Sequence, residues 1–418
     1  MRYLIKTGLV ITNQDSQNIR QQQGVLVEDG FISAVGAWED FPSHGSLETI
    51  DLSTYTLMPG FVDAHTHVVH SGDPAENWAG GPVIDNPADT AFIAARNARR
   101  HIEMGVTTIR DLGARDWVDL ALRDAIQRGW QVGPRMLAAG HGITTSGGHM
   151  DPRPYLRPGI PLEAVGSMGA IADSVDEARR AVRTQLAAGV DLIKINATIS
   201  EYVRGLGGRY TQELTFEQMQ AICQLAHEAM RRVTAHCHGG KGVDDAIRAG
   251  VDSLEHGRFL TNEQLDEMAK KGIFLIPTLS PEARSVDAGR IPENEAYRIW
   301  REKALAAMYD AVNRAKAHGV QIAAGSDAGM QDVPHGCVAY EAFHLGIGGL
   351  DTQECIQAMT CTAAAALGLA GEAGRIAPGF RADLVAVNGD PLQDLNILQN
   401  QDSIKLVIKC GSILIDRR

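Results

Sequence analysis

From residue 58 onward, apolar runs of four to six residues alternate with longer stretches of helical periodicity, the βα rhythm of a parallel sheet. Eight runs are present: GFVDAH near 60, VTTIRDL near 106, RMLAAG near 135, DLIKIN near 191, RVTAHC near 232, DSLEH near 252, IFLIPTL near 273 and QIAAGSD near 321. Segments such as ADTAFIAARNARRHIEMG and TFEQMQAICQLAHEAMRR lie between them with the periodicity of helices packed on a sheet. Several end in glycine just before the next run (Gly105, Gly189, Gly250, Gly272, Gly319), where a left-handed C-cap is expected. Eight βα units predict an α/β fold, a distorted (β/α)8 TIM-type barrel over residues 58–369.

The two ends of the chain have a different texture. Residues 1–57 read as short strands and turns without intervening helices, and RADLVAVNGDPL and IKLVIKCGSILID repeat that pattern near the C-terminus. A small β-sandwich built from residues 1–57 and 370–418 is therefore expected beside the barrel.

Composition narrows the function classes. Hydrophobic residues make up 44% and charged residues 22% of the 418, which are globular values. A formal net charge of −12, with no Lys/Arg cluster, disfavours nucleic acid as a partner. No apolar stretch approaches the length of a membrane span, and the N-terminal apolar patch, broken by Lys6, is too short for a signal segment. The six cysteines are scattered and form no CxxC pair, which fits a reducing cytoplasm. A cytoplasmic homo-oligomer acting on a small molecule is expected.

Chemistry in such a barrel sits where strands end, and the residues closing the runs are unusually uniform. Run one ends in His65-Thr66-His67, run four carries Lys194, run five carries His236, run six ends in His256 and run eight in Asp327. Period-two geometry turns His65 and His67 to the same side, where both can grip one ion. Each histidine alone is more often a satisfied core residue; their joint occurrence at strand ends favours a metal site. Lys194 repels cations as an ammonium, but carboxylation by CO2 gives a carbamate with one oxygen for each of two ions. The alternative for Lys194 is a salt-bridged barrel lysine. Two divalent ions, with zinc best suited to four histidines and two anionic oxygen donors, would activate a water between them. Asp327 would take the proton of that water and pass it to the leaving amine, unless it merely shapes its turn.

With these residues placed, the chain resembles the amidohydrolase superfamily, in the branch of imidazolonepropionase-like proteins, prolidases and Xaa-Arg/Lys carboxypeptidases. The carriers are LMPGFVDAHTH at 57–67, GVTTIRDLG at 105–113, DLIKI at 191–195, AHCHG at 235–239, LEHG at 254–257, AGSDAG at 324–329 and GRIAPGFRADLV at 374–385. The resemblance implies the same six ligands and a β-sandwich from both termini. Lys194 directs the reading to binuclear, amide-cleaving members, most directly a dipeptidase or carboxypeptidase of prolidase type. Hydrolysis of a cyclic amide, or of an aryl amide, urea or carbamate, is the alternative; a non-catalytic scaffold is a second, against which all six ligands stand.

Further candidates lie in the loops. His141 is placed to stabilise an oxyanion, or is a plain loop histidine; His238 shares the strand face of His236. Tyr202, Arg204, Arg209 and Tyr210, after run four, could bind a substrate carboxylate or be solvated loop residues. The Pro/Gly-rich segment 148–161 has the character of a lid.

Overall fold

The computed structural model describes residues 2–13, 19–41, 47–73, 84–161, 166–199, 211–287 and 295–418. Strands β1 (Arg2–Ile11), β2 (Ile19–Glu28), β3 (Phe31–Ala37) and β4 (Glu48–Pro59) come from the N-terminal region. Barrel strands follow: β5 (Phe61–Thr66), β6 (Val106–Asp111), β7 (Arg135–Ala138), β8 (Gly142–Thr144), β9 (Gly169–Ile171), β10 (Leu192–Asn196), β11 (Arg232–Gly239), β12 (Ser253–Phe259) and β13 (Phe274–Ile276). The C-terminal strands are β14 (Leu384–Val387), β15 (Ile404–Lys409) and β16 (Ser412–Asp416). Among the described residues no helix is long and apolar enough to cross a membrane.

Strands from both ends of the chain join in one sheet, as their shared texture predicts, in the order β16-β15-β14-β4-β1-β2-β3. The expected sandwich is thus a single continuous ladder of seven strands. It has its own apolar cluster, in which Ile5, Val25 and Leu52 from one end meet Leu384 and Leu406 from the other.

The barrel strands pair in parallel, β5-β6-β7 in one ladder and β13-β12-β11-β10-β8-β9 in the other. Seven of the eight expected runs are strands; the eighth, near 321, is not a ladder strand and meets its neighbours only at single bridges, Leu275 with Ile322 and Thr66 with Ala328. Its backbone still spans the gap, because Ala64 N donates to Ala324 O (3.0 Å) and Asp327 N to His65 O (2.8 Å). On the other side of the smaller ladder, Asp191 N donates to Ala138 O (2.9 Å). The barrel is therefore distorted: its two ladders are separate sheets, bridged at these seams by isolated hydrogen bonds. The five helix-terminal glycines all have positive φ, from 68° to 93°, as their C-cap role requires.

Candidate metal and active site

Three of the predicted ligands share one feature: the outer ring nitrogen is occupied, so the inner one carries the lone pair. His65 Nδ1 donates to the Glu255 carboxylate (2.7 Å). His67 Nδ1 faces the Gly113 carbonyl (3.3 Å), which can only accept. His256 Nδ1 lies 2.5 Å from Thr278 Oγ1, whose own proton goes to the Pro277 carbonyl (2.7 Å), so the hydroxyl accepts from the ring. Each Nε2 is thereby a free donor atom, the arrangement that orients metal-binding imidazoles.

These nitrogens converge. Asp327 Oδ1 is 3.4 Å from both His65 Nε2 and His67 Nε2. Donor atoms of His65, His256 and Asp327 all lie within 4.8 Å of one another. The His236 ring centroid is 4.6 Å from that of His256, and its Nε2 is buried with no hydrogen-bond partner among the described residues. Such an orphaned nitrogen is expensive unless something absent from the polypeptide completes it. Lys194, in β10, is 1% exposed, and among the described residues it forms no ion pair. Burial pushes its pKa down to about 8, against the pull of Glu255 and Asp327. Burial raises the Asp327 carboxyl, but the neighbouring His65 and His67 imidazoles bring it net below its ordinary value. The donor set of four imidazoles, one carboxylate and a buried lysine fits divalent ions.

His65 lies near the end of β5 and His67 directly after it, and His236 and His238 share the inward face of β11, as period two requires. His256 breaks alternation. Glu255 takes the inward position in β12, and a left-handed backbone at His256 (φ 71°) followed by Gly257 (φ 58°) lets the next ring reach the cluster as well. Asp327 has the same strained conformation (φ 55°). Non-glycine residues of this kind are uncommon and concentrate at functional sites.

Beneath the candidate ligands lies a polar layer that the sequence pattern did not reveal. Arg110, from β6, donates to Glu255 Oε1 (2.7 Å), Ser253 Oγ (3.1 Å) and the Ala64 carbonyl (2.6 Å). Thr234 donates to the same Glu255 oxygen. Burial raises the Glu255 carboxyl, yet the Arg110 charge and the His65 hydrogen bond hold it well below the usual range, so it is ionised. The available signal was an acid directly before His256 and an arginine inside an apolar strand.

The stretch after β7 also departs from expectation. His141 lies with its ring 4.1 Å from Trp117, and the charge acting on it is that of Asp116. The histidine brought to the candidate ligands is His149, in the loop after β8, stacked on His236 at 3.9 Å. Burial and the charges of Lys194 and His67 push its pKa down to about 3, so the ring is neutral. His238 lies 4.8 Å from His236 and 5.2 Å from His256, centroid to centroid. Tyr202, Arg204, Arg209 and Tyr210 fall outside the described residues.

A barrel whose strand ends gather imidazoles, a carboxylate and a lysine in this way belongs to the hydrolases that act on amide bonds, a class that generally uses divalent metal ions. Residues 56–414 match the amidohydrolase family, and the chain belongs to it. It is 30% identical to ochratoxinase from Aspergillus niger, across 98% of this chain and 86% of that one. It is also similar to the crystal structure of a Xaa-Pro dipeptidase with bound methionine in the active site, with TM-score 0.87, 30% identity, and coverage of 99% and 100% of the two chains. The crystal structure of A. niger ochratoxinase gives TM-score 0.87 at 27% identity, covering 99% and 96%.

Proposed function

We propose that the protein cleaves the amide bond of a dipeptide or N-acyl amino acid, in the manner of a prolidase-type dipeptidase. His65, His67, His236, His256, Asp327 and a carboxylated Lys194 would hold two zinc ions. The observation that carries this reading is the set of imidazoles whose outer nitrogens are tied while their inner nitrogens converge on Asp327. A buried lysine amine with no ion pair among the described residues is suited to react with CO2, which converts a repelling cation into an anionic oxygen donor. When bound, divalent ions polarise a scissile carbonyl and lower the pKa of water towards neutrality.

The chain's own groups supply the rest. Asp327 accepts a proton as water adds to the carbonyl carbon, and returns it to the amine nitrogen as the C–N bond breaks, giving a carboxylic acid and an amine. His149, neutral and beside His236, is placed to donate a hydrogen bond to the oxyanion, with His238 on the same side of the cluster. The dipeptidase similar to this chain holds methionine in its active site, which supports a substrate built from an amino acid. All six cysteines are free, in keeping with the cytoplasm.

The purified protein should contain two zinc ions per chain, with mass added at Lys194 by CO2; one ion and an unmodified lysine would falsify the binuclear reading. A dipeptide should be turned over with higher kcat/KM than its C-terminal amide, because a carboxylate held by Arg204 or Arg209 aims the scissile bond. Equal values for the pair would remove that clamp. His149→Ala should lower kcat by roughly 10²–10³-fold, the usual loss for an oxyanion donor, without changing zinc content. Unchanged kcat in that variant would withdraw the role.

A further inference from the structure

Segment 277–280 follows β13 and carries a strained residue at its centre. Thr278 has φ 51°, a conformation that a β-branched side chain rarely adopts and keeps only when its surroundings enforce it. The enforcement is visible. Leu279 N donates to Glu341 Oε1 (2.8 Å), while Ser280 N (2.8 Å) and Ser280 Oγ (2.6 Å) donate to Glu341 Oε2. Glu341 is fully buried and belongs to another element, the helix Val338–Ile347. A single carboxylate thus takes three donors from the two residues directly after Thr278.

The strain has a product at the other end of Thr278. Its hydroxyl proton is committed to the Pro277 carbonyl, so the oxygen offers a lone pair to His256 Nδ1–H. That bond selects the tautomer whose Nε2 faces the other ligands, and it fixes the ring plane. His256 is itself held at positive φ, so its backbone alone does not determine where the imidazole points.

We propose that Thr278 and Glu341 are positioning residues for metal binding: Thr278 sets the tautomer and aim of His256, and Glu341 holds the turn that presents Thr278. The inference rests on the reading of His256 as a ligand. It adds that part of the site's affinity is built by two residues that touch no ion.

The test is competition between the zinc-loaded protein and a zinc chelator, read as zinc retained per chain, in Thr278→Val, Thr278→Ser, Glu341→Gln and His256→Ala. Valine keeps the branching and its backbone strain but cannot accept a hydrogen bond. Thr278→Val should weaken zinc binding by about 10–100-fold, the usual cost of losing an outer partner of a ligand histidine. Thr278→Ser should stay within a few-fold of the parent, and Glu341→Gln should weaken binding in the same direction as Thr278→Val. Thermal denaturation of each variant without metal separates these losses from failure to fold. If His256→Ala loses zinc while Thr278→Val retains it, the relay is overturned. Equal losses in the valine and serine variants also overturn it, since Thr278 would then act by packing alone. If His256→Ala binds zinc like the parent, the ligand assignment fails instead.

Discussion

Replacing Asp327 by asparagine is expected to lower turnover by roughly two to four orders of magnitude, the range for loss of a general acid-base group, while fold and most of the metal are kept. Asparagine tolerates the left-handed backbone found at this position, φ 55°, better than other residues of its size. The backbone bonds of the turn, Asp327 N to His65 O (2.8 Å) and Met330 N to Asp327 O (3.1 Å), do not involve the changed atoms. What changes is the charge. The carboxylate is held ionised by His65 and His67 despite its burial, and Oδ1 is 3.4 Å from both imidazoles. An amide there can still accept a hydrogen bond, but it cannot take a proton from water near neutral pH and hand it to a departing amine. Steady-state kinetics on metal-replete enzyme decide the matter; turnover near that of the parent would remove the proton shuttle from the mechanism.

Much of the fold was legible because its signals are local. Apolar runs separated by helical stretches, with glycine at the helix ends, translate directly into seven of the barrel strands and the positive φ of those five glycines. The eighth run was harder to read. QIAAGSD has the composition of a strand, yet its backbone makes only single bridges, because its small residues sit where the distorted barrel closes. The added strands β8 and β9 are three residues each, too short for any period to register.

The candidate site was legible where its residues follow alternation and obscure where they do not. His65, His67, His236 and His238 follow it. At 255 and 256, alternation puts the two side chains on opposite faces, and only the left-handed backbone at His256 brings both inside. That left Glu255 unread, although it fixes the tautomer of His65. His141 and His149 are eight residues apart in one Gly-rich stretch, on either side of the short strand β8, and nothing local distinguishes them. Their fates are set by Trp117 and by His236, which come from distant parts of the chain.

Glu255→Gln should be the most damaging conservative change in the protein. The carboxylate is 0% exposed and paired with Arg110, itself 2% exposed, so removing its charge strands a buried guanidinium. Breaking one side of a buried ion pair costs about 3–5 kcal/mol. The amide also cannot serve both neighbours. If its oxygen turns to Arg110, its NH2 meets His65 Nδ1, which must then accept, and the proton moves to Nε2 on the ligand side. If its oxygen turns to His65, the NH2 opposes the guanidinium of Arg110. Either orientation should weaken zinc binding by about 10–100-fold in addition to the loss of stability. Chemical denaturation of the metal-free protein measures the first effect, and chelator competition measures the second. Arg110→Met should destabilise as well, and the double variant should cost less than the sum of the two single changes, because the pair is then removed as a unit. Strict additivity in that cycle, or metal-free stability within about 1 kcal/mol of the parent for Glu255→Gln, against the cost expected of a buried pair, would show that the polar layer does not hold the first ligand in place.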